Sequence, residues 1–405
     1  MKIKNIIRFN IFRSKIKKIF ILSNIKYFME GIGIIGCGAR MNEVVKQLFK
    51  VNPENKIAGV YDPSEKSVEN FLNKFGREII IYKNYLDLLK NPDIEWILIG
   101  SINSAHKDQI INSLKFGKNV FSEKPLAISE EECFEIKKEF DSKNLIFLIS
   151  YPLRYSIHYL EIKKIIDSGK IGKIISMEFN EVLEFDHGAF IMTDWRRLQK
   201  NSGGHLLEKC CHDLDLARWF IESLPKKVAS FGGLNCFMEK NSEIYDEIKK
   251  RENRKILFDE KEIPNPFKSD KDIVDNQIVI IEYENEVRAT FHTNCNSGIP
   301  ERRMYICGTK GTLRADLVSG IIEFREFGSN KKIEVINVKE ENDGHGGGDI
   351  NLARELDSAI NMKIKPKTSM IDAIVSAISA IKIDEARIKE KIIYLDSTWE
   401  KFGIK

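Results

Sequence analysis

The chain of 405 residues has little that would staple a small scaffold or anchor it. Its seven cysteines, Cys37, Cys133, Cys210, Cys211, Cys236, Cys295 and Cys307, are odd in number and form no Cys-x-x-Cys pair. A disulfide framework and a zinc finger are therefore poor readings, and reduced thiols in a cytoplasmic protein are expected. Internal repeats and low-complexity tracts are absent, which sets aside solenoids and linkers. A basic surface is also missing: although the formal net charge is +4, eight Lys and Arg and no acid lie in residues 1–29. From Glu30 onward 56 basic residues face 60 acidic ones, so no nucleic-acid partner is expected.

The segment 1–29 admits readings as a signal, an anchor, a transit peptide or an extension. Its longest apolar run, Ile19 to Ser23, is far short of the ~20 residues of a membrane span, and no small-residue cleavage site follows. Serine is too scarce for a transit peptide. We expect a basic extension outside the core fold, a working protein that begins near Met29, and no membrane partner.

What is present is a globular composition, 42% hydrophobic and 31% charged, long enough for two or three domains. Residues 30–150 alternate short apolar runs with amphipathic stretches. Strands are expected at Ile32–Ile35, Ile57–Tyr61, Ile79–Ile81, Trp96–Gly100, Val120–Ser122 and Ile146–Ile149. Helices are expected at Met41–Lys50, Ser64–Phe75, His106–Phe116 and Glu130–Phe140. Nearly continuous apolar strands separated by helices predict an α/β fold with a doubly wound parallel sheet. Residues 151–390 read differently. After helices near Ser156–Ser168 and Leu206–Ile221, strands at Val228–Gly232, Gln277–Tyr283, Val287–Thr293, Arg303–Cys307, Thr312–Ala315, Ile321–Phe324 and Lys332–Val338 predict an open, mainly antiparallel sheet. A charged stretch, 237–271, reads as an insertion, and helices near Ile350–Asn361 and Ile371–Lys391 end the pattern.

Gly36-Cys37-Gly38 follows the first strand and opens a helix. There the first glycine permits a tight turn and the second lets backbone approach a pyrophosphate at the helix N-terminus. A plain turn competes, and Met41 stands where a third glycine would favour close packing. Asp62, at the end of the second strand, is placed to accept from a ribose diol and would repel a 2′-phosphate, so NAD is favoured over NADP. Asp62-Pro63-Ser64-Glu65 also reads as a helix cap with a capping-box Glu, and one carboxylate can serve both ends.

Glu123-Lys124-Pro125 follows the fifth strand, where ligands of open parallel sheets bind. Proline holds Lys124 extended. The ammonium is then either a donor to a reacting oxygen or a solvated strand-end charge. In Glu208-Lys209-Cys210-Cys211-His212-Asp213-Leu214-Asp215, helical spacing puts Glu208, His212 and Asp215 on one stripe. A histidine oriented by a carboxylate suits proton transfer near neutral pH, and a satisfied ion pair competes. A metal site is disfavoured, because the His and Cys spacing of zinc sites is lacking.

With Ser101-Ile102-Asn103-Ser104-Ala105-His106, Leu114 to Val120, Glu123-Lys124-Pro125-Leu126-Ala127, Gly203-Gly204 and the Glu208–Asp215 helix, the chain from Gly31 to Asp384 resembles the Gfo/Idh/MocA oxidoreductases, relatives of glucose-fructose oxidoreductase and inositol dehydrogenase. The resemblance implies a Rossmann domain and an α/β domain whose open sheet makes oligomer contacts, in a homodimer or homotetramer. It implies NAD held by Gly36, Gly38, Ala39, Arg40, Asp62, Ser101, Asn103, His106, Glu123 and Lys124. Lys124 would anchor the reacting hydroxyl, His212 would be the acid/base and Glu208 would assist it, where many relatives carry Asp. Arg154, Trp195, Arg196, Asp215 and His345 are the expected contacts of a sugar or polyol. Trp195 reads equally as a core residue and His345 as part of a loop before a helix that Asp349 would cap. The implied activity is hydride transfer between NAD and a sugar, polyol or sugar-derivative hydroxyl. Redox-neutral epimerisation or glycoside cleavage with retained NAD, and a non-catalytic sensor, are the rivals.

Overall fold

The computed structural model describes residues 31–252, 265–328, 330–338 and 345–404. The expected extension 1–29 and part of the 237–271 insertion lie outside them. Among the described residues no helix is long and apolar enough to cross a membrane.

The first sheet contains β1 (Gly31–Ile35), β2 (Lys56–Tyr61), β3 (Ile80–Ile81), β4 (Ile94–Ile99), β5 (Asn119–Ser122) and β6 (Phe147–Ile149). All pairings are parallel, in the order β3-β2-β1-β4-β5-β6. That is the doubly wound order in which ligands bind beyond the carboxyl ends of the strands, at the switch point. Both faces are covered, as continuous apolar strands require. One buries Ile32, Ile34, Trp96 and Leu98 against α1 (Ala39–Val51) and α2 (Glu65–Phe75), and the other buries Ile97, Ile99 and Val120 against α3 (His106–Lys115) and α4 (Glu130–Asp141).

Among the described residues the second sheet runs in the order β14 (Glu334–Asn337), β13 (Ile321–Glu326), β12 (Gly311–Asp316), β11 (Arg303–Gly308), β7 (Ile174–Glu184), β10 (Arg288–Ser297), β9 (Asn276–Tyr283), β8 (Pro225–Gly233), β15 (Ile393–Tyr394). Its pairs are antiparallel except β7 with β10. Turns at Glu284-Asn285 and Gly308–Gly311 close hairpins. β7 itself is not evident in the sequence. Glu181 stands where the alternation of Met177, Phe179 and Leu183 calls for an apolar residue, and both it and Asn180 are buried in polar contacts rather than exposed.

Two helices frame the space between the sheets, α5 (Phe185–Ile191) and α6 (His205–Ile221). Helix α7 (Gly348–Met362) lies late in the chain yet packs Leu352, Leu356, Ala359 and Ile360 into the core of the first sheet. Helix α8 (Met370–Lys389) packs on α6, where Ser376 Oγ donates to Cys211 O at 2.6 Å. The helix after Asp62 begins differently from expectation. Ser64 is the N-cap, accepting from Ser67 N–H, and Asp62 sits two residues before it.

Candidate active site

The carboxyl ends of β1, β2, β4 and β5 open into a cavity of about 900 Å³. Its far wall comes from α5, the Asp194–Arg196 turn and α6.

At the first-sheet end the backbone dominates. Gly36 has φ +92, and a Cβ there would lie 2.6 Å from Gly100 C and Ser101 N, so only glycine makes this turn without strain. A Cβ on Gly38 would meet nothing within 4 Å, and α1 starts at Gly38 without a side-chain cap. First-turn N–H groups are therefore left for an anion, the arrangement that receives a pyrophosphate. Met41, in place of the third glycine, is fully buried, and its neighbour gives way instead: a Cβ on Gly100 would lie 2.8 Å from Met41 Cε. Asp62 lines the cavity while its Oδ2 accepts from Cys37 N–H and its Oδ1 from Ser64 N–H, both at 2.7 Å. A carboxylate has acceptor capacity beyond two bonds, so a ribose diol still fits. The cavity residues around it, Tyr61, Pro63, Ser64 and Ser67, include no Lys or Arg to meet a 2′-phosphate.

Ser101, Asn103, Glu123 and Ala39 also line the cavity. Asn103 Nδ2 donates to Ser202 O at 2.9 Å, tying the two halves together. Arg40 crosses the floor, with Glu123 Oε1 and Asp349 Oδ1 each at 2.8 Å. His106 does not reach the cavity. It is fully buried with Nδ1 2.7 Å from Pro125 O and Nε2 3.2 Å from Ser101 O, so it braces the two turns that the cavity uses.

At the other end Lys124, Glu208 and His212 come together. Lys124 Nζ donates to Glu208 O and lies 3.3 Å from Glu208 Oε1. Arg196 Nε donates to the same carboxylate oxygen at 3.0 Å. Burial opposes the charge, but Lys124, Arg196 and Lys209 hold Glu208 far below the usual carboxylate range. The expected Glu208–His212 pairing is thus replaced by a Lys124–Glu208–Arg196 bridge. His212 packs edge-on against Tyr151, with ring centroids 5.9 Å apart, and its Nδ1 is buried without a hydrogen-bond partner. Burial, then Lys124, Arg302, His345 and Lys209, push its pKa well down, so the resting imidazole is neutral and able to accept a proton.

Trp195 is half-buried on the cavity wall, with the Arg196 guanidinium 4.3 Å above its ring and 5.3 Å from Phe190. Arg154 and Asp215, expected among the substrate contacts, lie beneath the wall. Arg154 forks onto Asp215 through two bonds of 2.6 Å and reaches Asp372 at 3.1 Å, all buried. A buried guanidinium needs such partners, and the fork gives the pair a structural place. His345 lines the cavity, its ring centroid 5.9 Å from that of His212. Asp349 does not cap its helix; Gly347 holds that position, and Asp349 Oδ2 lies 2.9 Å from His345 Nδ1. Sequence reasoning missed Lys209 and Phe190 on the wall. Lys209 shares the Glu208–Asp215 helix, and Phe190 follows the polar Asp186-His187 pair; neither side chain carries a local signal for a site. Among the described residues no three His, Cys, Asp or Glu are grouped to hold a metal ion.

Residues 31–151 match the oxidoreductase family with an NAD-binding Rossmann fold, and residues 159–314 match the GFO/IDH/MocA C-terminal domain. The 2,7-anhydro-N-acetylneuraminate hydratase of Escherichia coli is 25% identical over 82% of this chain and 79% of its own length. An inositol 2-dehydrogenase/D-chiro-inositol 3-dehydrogenase of Lactiplantibacillus plantarum is 24% identical over 53% of this chain and 59% of its own. In fold the chain is similar to levoglucosan dehydrogenase in complex with NADH and levoglucosan, with a TM-score of 0.76 at 17% identity over 91% of this chain and 99% of that one.

Proposed function

The chain belongs to the GFO/IDH/MocA oxidoreductase family, an NAD-binding family, and on that premise we propose that it moves a hydride between NAD and a hydroxyl-bearing carbon of a sugar, polyol or sugar derivative. The observation that carries this reading is the meeting of Lys124 and His212 in the cavity that also contains the Gly36–Gly38 turn.

NAD, when bound, supplies the hydride acceptor. Gly36, Gly38 and Ala39 would receive its pyrophosphate and Asp62 a ribose diol, while Ser101, Asn103 and Glu123 line the path toward Lys124. On oxidation His212 takes the hydroxyl proton, and the Lys124 ammonium donates to the same oxygen as negative charge develops there. Glu208 orients Lys124. Trp195 and Phe190 give apolar faces to a sugar ring, and Arg196 donors can reach its hydroxyls. The cations lining the cavity all have carboxylate partners: Arg40 with Glu123 and Asp349, Lys124 with Glu208, Arg196 with Asp194 and Glu208, and Lys209 with Glu181. That balance favours a neutral polyhydroxylated substrate.

Purified protein with NAD and a panel of sugars and polyols should generate NADH absorbance, and His212→Ala should abolish it. A second reading is favoured by the hydratase relative: redox-neutral chemistry with retained NAD, which would convert substrate without accumulating NADH. A pure sensor would have no use for Lys124 beside His212. The cysteines, odd in number and without a Cys-x-x-Cys pair, support a cytoplasmic location. The outer face of the second sheet exposes Phe231, Ile278 and Ile280, which supports a homodimer or homotetramer that sedimentation would weigh.

A further inference from the structure

A proton acceptor that is neutral, buried and surrounded by cations can take a proton but cannot keep it. His212 is such a group: it is buried, and Lys124 from the end of β5, Arg302 just ahead of the strand Arg303–Gly308 and Lys209 on its own helix add positive charge near it, although each has a carboxylate partner of its own. The carboxylate that would stabilise its imidazolium, Glu208, is engaged by Lys124 and Arg196. A second acceptor is needed.

The carboxylate-held imidazole of this site is His345. Its Nδ1 lies 2.9 Å from Asp349 Oδ2, its ring is tilted 56° to that of His212 at a centroid distance of 5.9 Å, and it lines the same cavity. Asp349 is itself fixed, because Arg40 holds its other oxygen at 2.8 Å. We propose that His345, held by Asp349, relays the substrate proton between His212 and solvent. This rests on the dehydrogenase reading above.

On oxidation the substrate O–H bond breaks, its proton bonds to a ring nitrogen of His212, and the pair from the O–H bond becomes the second bond of the carbonyl as the C–H pair leaves with the hydride. The new N–H bond on His212 then breaks while one forms on His345, directly or through one bridging water. His345 finally gives the proton to a water or buffer molecule. Reduction reverses each step. The charge passes to the better-supported ring. Burial, with Arg40 and Lys209, leaves His345 below the usual histidine range even though Asp349 pulls it up, but His345 has a carboxylate partner that His212 lacks, and Asp349 stays ionised because His345 and Arg40 hold it down at about 2 against its own burial.

The test uses His345→Ala, with Asp349→Asn as a second, milder variant, in the full chain. Expected for His345→Ala is a fall in kcat of roughly tenfold or more with KM for NAD unchanged, a shifted acidic limb in the pH profile, and recovery of rate in proportion to added imidazole. An unchanged pH profile, or a loss that imidazole does not restore, overturns the relay. A readout free of turnover is the ¹⁵N titration of the imidazoles in the protein alone. Asp349→Asn should lower the His345 midpoint, and a midpoint that ignores this change overturns the proposal. If wild-type protein made no NADH from any substrate, the dehydrogenase reading would fail separately, while the titration would still judge the pair.

Discussion

The two ends of the cavity are built on different principles. The end proposed for the cofactor depends on backbone and on residues close behind strands: Gly36 after β1, Asp62 after β2, Ser101 two residues after β4 and Glu123 after β5. The end proposed for the substrate depends on side chains brought from distant segments into cation–carboxylate pairs, Lys124 with Glu208 and Arg196 with Asp194, with the Arg154–Asp215 fork buried behind them. A dinucleotide presents the same phosphates and ribose whatever the substrate, so fixed backbone serves it. A hydroxyl that must lose a proton needs a placed acceptor and a placed cation, and only paired side chains hold those without leaving a buried charge alone.

The comparison breaks most visibly at His212. His212→Ala should lower kcat by about 10²- to 10⁴-fold while NAD affinity, measured by fluorescence titration, stays near wild type. An equal loss of NAD affinity would mean that the two ends are not separable. Next in size is Arg154→Ala, which removes the partner of two buried carboxylates. Burial already pushes Asp215 up to about 6 despite Arg154, so the variant should take up a proton there and still lose about 3–5 kcal/mol in urea unfolding. If stability held and only KM for sugar rose, Arg154 would belong to the substrate end after all. Smallest is Asp62→Ala, where loss of a charged acceptor should weaken NAD by about 1.5–3 kcal/mol and NADP by less. Equal effects on both nucleotides would assign Asp62 to the turn alone, through Cys37 and Ser64.

Legibility in the sequence followed the same division. The parallel sheet was readable because strands buried on both faces are apolar throughout, and Gly36, Asp62 and Lys124 were readable because each stands next to such a strand. β7 was not, since its Glu181 is buried against Lys209 and Arg302, which lie far along the chain. The helical stripe Glu208, His212, Asp215 was correctly placed on one helix, yet its members face different neighbours: the cavity for the first two and Arg154 for the third. His345 was visible as a candidate, but its bond to Asp349 and the tie from Asp349 to Arg40 were not, because α7 returns to the first sheet only in three dimensions.

The sequence by itself determined the class of fold, the strand ends that face the cavity and several of the titratable residues that line it. Those follow from local rules, the periodicity of burial and the turn that a glycine permits. Tertiary structure alone decided which carboxylate serves which cation. Glu208 went to Lys124 and Arg196 instead of His212, and Asp349 went to His345. A buried charge is stabilised by whatever opposite charge lies within a few ångströms of it, and that distance is a property of the folded chain rather than of sequence spacing.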